Sequence, residues 1–248
     1  MQTFRRSSQS HYCPQFWLML CLSCFFLAPG TALARPGKKA HPVKKVDATP
    51  SIQDDDVWSF TLESDSYEAT TYLNPIVDFS SKDGWDIQMA FYNIPVYGGG
   101  AQNYEWDSYL NLSKTFNLDG NVKTLIGTQN GTTLFSSTQQ WHNFDYGLLI
   151  YQPSHFLSLR SGGYWADKAL STTTDVAGYT TGFSLELIKD TLSFQGDYFS
   201  GHSNVSGAVV NLFYQCLPKT QIYLGVGVPE TNSGNEFYGI AGFSLSSK

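Results

Sequence analysis

Charge, cysteine and long apolar runs are what this 248-residue chain has least of. Charged residues make up 15% of it while aromatic residues also reach 15%, whereas ordinary globular chains carry roughly 25% charged residues. A disordered chain would show the reverse balance. Three of the four cysteines, Cys13, Cys21 and Cys24, fall within the first 34 residues and leave Cys216 alone beyond them. That excludes an intramolecular disulfide or a cysteine-based metal site in residues 35–248. Cys216, beside an expected turn, reads as a small buried residue rather than a reactive thiol. Beyond residue 34 no stretch is apolar for the about 20 residues that a membrane helix takes. Basic residues are scarce as well. The formal charge is −6, and residues 35–248 hold 13 basic against 21 acidic residues, or −8. A nucleic-acid partner, which is held by Lys and Arg on phosphates, is excluded on that ground.

What is present begins with an export signal. Arg5-Arg6 precede an apolar run from Phe16 to Ala28, followed by Pro29-Gly30 and Ala32-Leu33-Ala34. Residues 1–34 therefore read as a signal peptide cleaved after Ala34. A lipoprotein signal at Cys24 is the rival, and Leu22-Ser23 place the leucine one position too close to that cysteine for it. Residues 35–56 mix Lys38, Lys39, Lys44 and Lys45 with three prolines and Asp54-Asp55-Asp56. With no apolar period, this segment is expected to be a disordered tail, and its aspartate run a solvated one rather than a cation site.

From Val57 onward the pattern is strand after strand. Its clearest unit runs from Tyr179 to Tyr198. Tyr179, Thr181, Phe183, Leu185 and Leu187 alternate with small or polar residues, Ile188–Thr191 break the pattern, and Leu192, Phe194, Gly196 and Tyr198 alternate again. Period-2 alternation on both sides of a tight turn predicts a hairpin with one greasy and one polar face. Similar patterns predict strands near 57–63, 69–79, 85–93, 104–116, 121–129, 142–151, 155–165, 176–187, 191–200, 206–215, 220–228 and 236–246. The proposed greasy faces include Trp85, Ile87, Met89 and Phe91; Phe144, Tyr146, Leu148 and Ile150; and Ile222, Leu224, Val226 and Val228. Short turns at 80–84, 118–120, 152–154, 188–190 and 216–219 alternate with longer polar loops at 94–103, 130–141, 166–175, 201–205 and 229–235. Most strands have nine to twelve residues, the about 9–11 that cross a bilayer when tilted rather than the roughly 5–6 of ordinary strands.

These features make residues 57–248 resemble a small Gram-negative outer-membrane β-barrel of the porin-like kind, at the level of architecture and without a family-specific motif. The resemblance implies an all-β, antiparallel, up-and-down transmembrane barrel of about 12 strands, with short periplasmic turns, longer extracellular loops and a periplasmic tail at 35–56. Membrane lipid and lipopolysaccharide would be its surroundings and small solutes its possible cargo. Such barrels usually finish on an aromatic residue, whereas here Ser246-Ser247-Lys248 follow the last strand. Trp58 and Trp85 would form an interfacial belt near the periplasmic end, and Trp106, Trp141 and Trp165 another near the extracellular end.

On this reading Glu63, Asp78, Asp86, Lys123, Asp145, Arg160, Glu186 and Asp197 line the lumen, and Glu105 and Asp107 lie toward the extracellular mouth. An acid-rich wall favours cations, so a passive channel with weak cation preference is the leading expectation. The same side chains could instead plug a barrel of this size, which would make it a non-conducting structural or surface-interaction barrel. A soluble β-sandwich would turn the greasy faces inward. Gly201-His202-Ser203-Asn204 resembles the His, Ser and Asn set of outer-membrane phospholipases, but adjacent His202 and Ser203 would point to opposite faces of a strand, so no catalytic role is assigned. No cofactor is expected. His142 and His155 are isolated, so no metal site is expected either, and Gly98-Gly99-Gly100 is not followed by a helix that would make it a phosphate cradle.

Overall fold

A computed structural model describes residues 55–98, 106–135, 140–167, 176–202, 205–231, 233 and 235–247. Thirteen strands are seen among them: β1 (Val57–Ser66), β2 (Thr70–Ser80), β3 (Trp85–Tyr92), β4 (Ile94–Gly98), β5 (Trp106–Asp119), β6 (Val122–Leu134), β7 (Trp141–Ser154), β8 (Leu157–Ala166), β9 (Ala177–Ile188), β10 (Leu192–Phe199), β11 (Gly207–Leu217), β12 (Thr220–Pro229) and β13 (Tyr238–Ser246). Each pairs antiparallel with its neighbours, and β1 pairs with both β2 and β13. The sheet therefore closes on itself as an up-and-down barrel.

The wall has twelve staves, because β3 and β4 are two halves of one bent strand, both paired to β2. The bend is at Asn93, whose φ of 65° is a left-handed conformation that asparagine tolerates better than most residues. Its amide nitrogen donates to Asn74 Oδ1 at 3.1 Å and its side-chain Nδ2 donates to Asp107 Oδ2 at 2.8 Å. Two interior partners thus hold the kink in place.

Five brief connections, at 81–84, 120–121, 155–156, 189–191 and 218–219, lie at the end where β1 begins and β13 finishes. Several strands reach further than the sequence pattern indicates. β6 extends to Leu134 and β4 lies at 94–98, both inside segments expected to be loop, and β7 continues through Ser154, so that the turn there is His155-Phe156.

Because directly paired residues in an antiparallel ladder share a face, the registers settle which side chains point outward. The hairpin β9–β10 behaves as its alternation predicts. Phe183 and Phe194 meet on the outer face with ring centroids 5.5 Å apart, and Leu212 on the next stave is exposed. Asp197 points inward. On β12 and β13 the outward sets are Ile222, Leu224, Val226 and Val228, and Gly239, Ala241, Phe243 and Leu245. Trp58, Trp85, Trp141 and Trp165 are all at least 45% exposed, the first two nearer the turn end and the others nearer the loop end.

β7 reverses the expectation. Phe144, Tyr146, Leu148 and Ile150 are 1–6% exposed and face the interior, paired with Gln129, Gly127, Leu125 and Lys123. Asp145, expected on the lumen wall, points outward opposite Thr128 and Trp165. The cause is packing. Phe144 stacks on Tyr164 at 5.1 Å, and both contact Phe199. These three open an apolar arc that continues inside the barrel through Val209, Phe213 and Tyr223.

An arginine at the membrane midplane of such a wall costs about 2–4 kcal/mol. Leu224→Arg, mid-strand and outward, is expected to destabilise the folded barrel by about that amount in reversible unfolding from lipid vesicles. Gln221→Arg, on the inner face of the same strand, is expected to change it by less than about 1 kcal/mol.

Candidate functional site

The interior is built by a repeated device: a long side chain lies across a glycine on the next stave and bonds to the stave beyond. Arg160 on β8 pairs with Gly182 on β9, which pairs with Asp197 on β10. Arg160 Nε donates to Asp197 Oδ1 at 2.6 Å and its Nη2 donates to Oδ2 at 2.5 Å. A side-chain carbon at 182 would sit 2.2 Å from Asp197 Oδ1 and 2.8 Å from Arg160 Nε, so the bidentate pair needs the glycine. Tyr146 crosses Gly127 to donate to Asn111 Oδ1 at 3.0 Å. Tyr223 crosses Gly242 to donate to Glu63 Oε2 at 2.8 Å. Tyr164 crosses Gly178 to donate to the Ser200 carbonyl. In each case the bulky group lies along the wall instead of projecting to the axis.

The polar arc occupies β1–β5. Asn74 Nδ2 donates to Asp65 Oδ2 at 2.7 Å, and Gln88 Nε2 donates to Asp78 Oδ1 at 2.7 Å. Asp86 is on the same inner face as Gln88, with its pair partner Ser80 on β2. Toward the loop end, Asp107 is 3% exposed. It accepts from Asn93 and from Thr133 Oγ1 at 2.8 Å, and Thr133 Oγ1 lies 2.9 Å from His142 Nε2. Above this level, at the turn between β1 and β2, Tyr67 stacks on Tyr238 at 5.0 Å. Burial, reinforced by Asp65, pushes the Tyr67 hydroxyl well above its ordinary pKa.

Seven acids face inward among the described residues: Glu63, Asp65, Asp78, Asp86, Asp107, Glu186 and Asp197. Lys123 and Arg160 are the inward bases. Glu186 has a local role, since its Oε1 accepts the Asp190 amide at 2.7 Å in the β9–β10 turn. Sequence reading missed Asp65 and His142. The signal for Asp65 was present, because it stands two residues beyond Glu63 and so on the same face once β1 is seen to run to Ser66. His142 was visible as a residue, but its partners come from β5 and β6. Glu105, Ser203 and Asn204 lie outside the described residues, and His202 is exposed. Among the described residues no group of three His, Cys, Asp or Glu side chains is arranged to hold a metal.

No family model matches the chain, and no curated protein matches it in sequence. Solved structures share its fold. The porin KdgM, in a complex with disordered oligogalacturonate, superposes with a TM-score of 0.54 at 12% identity, covering 75% of this chain and 98% of that one. The porin NanC superposes with a TM-score of 0.55 at 14% identity, covering 77% and 99%. The architecture is that of the outer-membrane porins.

Gly182→Ala is expected to disrupt the Arg160–Asp197 pair and to cost about 1–3 kcal/mol, the penalty of an uncompensated buried polar group, measured by unfolding in detergent. Gly239→Ala, where the added carbon would come no nearer than 4.0 Å to the Ser66 carbonyl oxygen, is expected to stay within about 0.5 kcal/mol.

Proposed function

We propose that the protein is a porin-like channel of the outer membrane that passes small solutes, with a weak preference for cations. The observation carrying this is the excess of inward acids over bases among the described residues, combined with large interior side chains that lie flat on the wall over glycines. Arg160 pairs with Asp197, and among the described residues Lys123 and Arg160 are the bases that face inward beside seven acids. Acid-lined walls raise the local concentration of cations and repel anions. The oligogalacturonate bound by KdgM is a polyanion, and such a solute does not suit an interior of this charge. Neutral or cationic solutes fit better. Membrane lipid and lipopolysaccharide would surround the wall, and a tail at 35–56 would remain on the periplasmic side with the short turns.

A second reading rests on the apolar arc. Leu125, Phe144, Leu148, Ile150 and Phe213 are all 1–5% exposed, a packing that also suits a closed, non-conducting barrel presenting its loops to partners. Planar-bilayer recording separates the two. The channel reading expects discrete conductance steps and, in a salt gradient, a reversal potential of cation-selective sign. Glu63→Gln and Asp65→Asn, which keep side-chain shape, are expected to move that potential toward zero. Absence of steps at every voltage, with the protein shown to be folded by heat-modifiable gel mobility, overturns the channel reading.

A further inference from the structure

The outer wall is apolar on most staves, but the loop-end half of β6–β8 is not. Thr128, Asn130 and Thr132 on β6, Asn143 and Asp145 on β7, and Ser161 on β8 all point outward by register. Four of them, Thr128, Asn130, Asn143 and Asp145, form a connected set. Asn143 Nδ2 donates to Asn130 Oδ1 at 2.9 Å and lies 3.4 Å from both Thr128 Oγ1 and Asp145 Oδ1, while Asn130 Nδ2 donates to Thr128 Oγ1 at 3.1 Å. Directly below Asp145, Gly147 and Gly163 pair with each other and also face outward. They leave bare backbone at the floor of a groove of about 850 Å³, with Phe116 and Ile126 on one side and Trp165 on the other.

The depth of this seam makes it costly to leave against lipid. β7 has 14 residues, more than the about 9–11 that cross hydrocarbon. Asp145 stands opposite the interfacial Trp165, so Asn143 and Asp145 sit at the boundary of the apolar layer and the glycines one step inside it. Acyl chains offer no hydrogen bonds to amides and a carboxylate. A lipid phosphate is a poor occupant, because the outer faces of β6–β8 carry no Lys or Arg. The cation that reaches the groove, Lys114 on β5, is held toward the turn end. Its Nζ donates to the Asp83 carbonyl at 2.5 Å and lies 4.9 Å from the Trp85 ring centroid.

We propose that this face is where two copies of the chain pair in the membrane, about a two-fold axis along the membrane normal. The patch complements itself. Such an axis brings residues of equal depth together, and the side-chain amides of Asn130 and Asn143 carry donors as well as acceptors. They can meet the same amides and the Asp145 carboxylate of a second copy. Among the described residues that carboxylate receives a single side-chain donor, at 3.4 Å. The paired glycines let two walls approach closely, the role small residues play where proteins associate within a bilayer. An isologous, self-complementary contact of this kind is the commonest basis of a homodimer.

The test uses the full-length protein folded in mild detergent and in lipid nanodiscs, with its mass read by light scattering or by density-matched sedimentation. A dimer is expected. Gly147→Trp places an indole in the groove, where the first carbon of the added side chain meets nothing within 4 Å. It is expected to weaken the dimer by about tenfold or more, the loss of one well-placed interface contact. Asp145→Leu is expected to do the same, whereas Gly239→Trp on the outer face of β13 should leave the dimer intact. Heat-modifiable gel mobility confirms that each variant is folded. A wild-type monomer at all concentrations, or a dimer indifferent to both β7 variants, overturns the proposal. So does a monomer that co-purifies with a lipid which Gly147→Trp displaces, an outcome that assigns the groove to lipid. None of these outcomes depends on whether the barrel conducts.

Discussion

Hydrocarbon supplies no hydrogen bond, so every backbone N–H and C=O of the wall must find its partner inside the wall. For strands the solution is closure, and in this chain closure falls on β1. Its residues 59–66 pair with β13 and 57–66 with β2, so neither the first nor the last strand leaves an edge. The even number of staves follows from the same constraint. An up-and-down meander brings its final strand back antiparallel to its first only if the count is even. That is why β3 and β4 must act as one bent stave, and why Asn93 takes a conformation most residues avoid. Its kink redirects the strand, and the ladder to β2 stops at Ile76–Ala90 and resumes at Leu73–Ile94.

Within that ring the interior is organised by glycine. A closed wall of twelve staves leaves limited room at its axis, and tyrosine or arginine side chains that projected inward would fill it. Gly127, Gly182 and Gly242 let Tyr146, Arg160 and Tyr223 lie sideways and reach the second stave along. Each such span satisfies a buried polar group and ties together three staves that the backbone ladder joins only in pairs. Arg160 shows the electrostatic side of the device. Its partner Asp197 is charged, the pair is almost fully buried, and a bidentate geometry offsets the cost of removing both ions from water.

Much of this was legible in the residues. The alternation of Tyr179–Tyr198, the tryptophans near strand ends and the rhythm of short and long connections each follow from local chemistry, and the closed barrel bears out the fold they imply. What could not be read was of longer range. Alternation divides a strand into two sets of side chains but does not say which set meets lipid. On β12, where Ile222, Leu224, Val226 and Val228 oppose one tyrosine and two glycines, the answer is evident. On β7, Leu149 and Tyr151 give the other set apolar character too, and the decision passes to neighbours distant in sequence: Gly127 for Tyr146 and Tyr164 for Phe144. Asp145 was misplaced for that reason. The interior role of His142 was hidden likewise, because its contacts with Thr133 and Asp107 come from other strands.

β7 therefore binds the two faces of the molecule into one problem. Its inward set is fixed by the stack of Phe144 on Tyr164 and by the span of Tyr146 over Gly127, so its outward set is whatever occupies the odd positions. Those positions were free to be apolar, as Leu149 and Tyr151 are nearer the turn end. Near the loop end they are Asn143, Asp145 and Gly147, and the facing positions on β6 and β8 are Thr128, Asn130 and Gly163. Interior packing demands none of these six residues, since their side chains or bare Cα atoms point away from it. A polar, glycine-floored seam on a wall that is elsewhere mostly apolar thus has its explanation on the outside of the barrel, where the proposed pairing with a second copy would cover it.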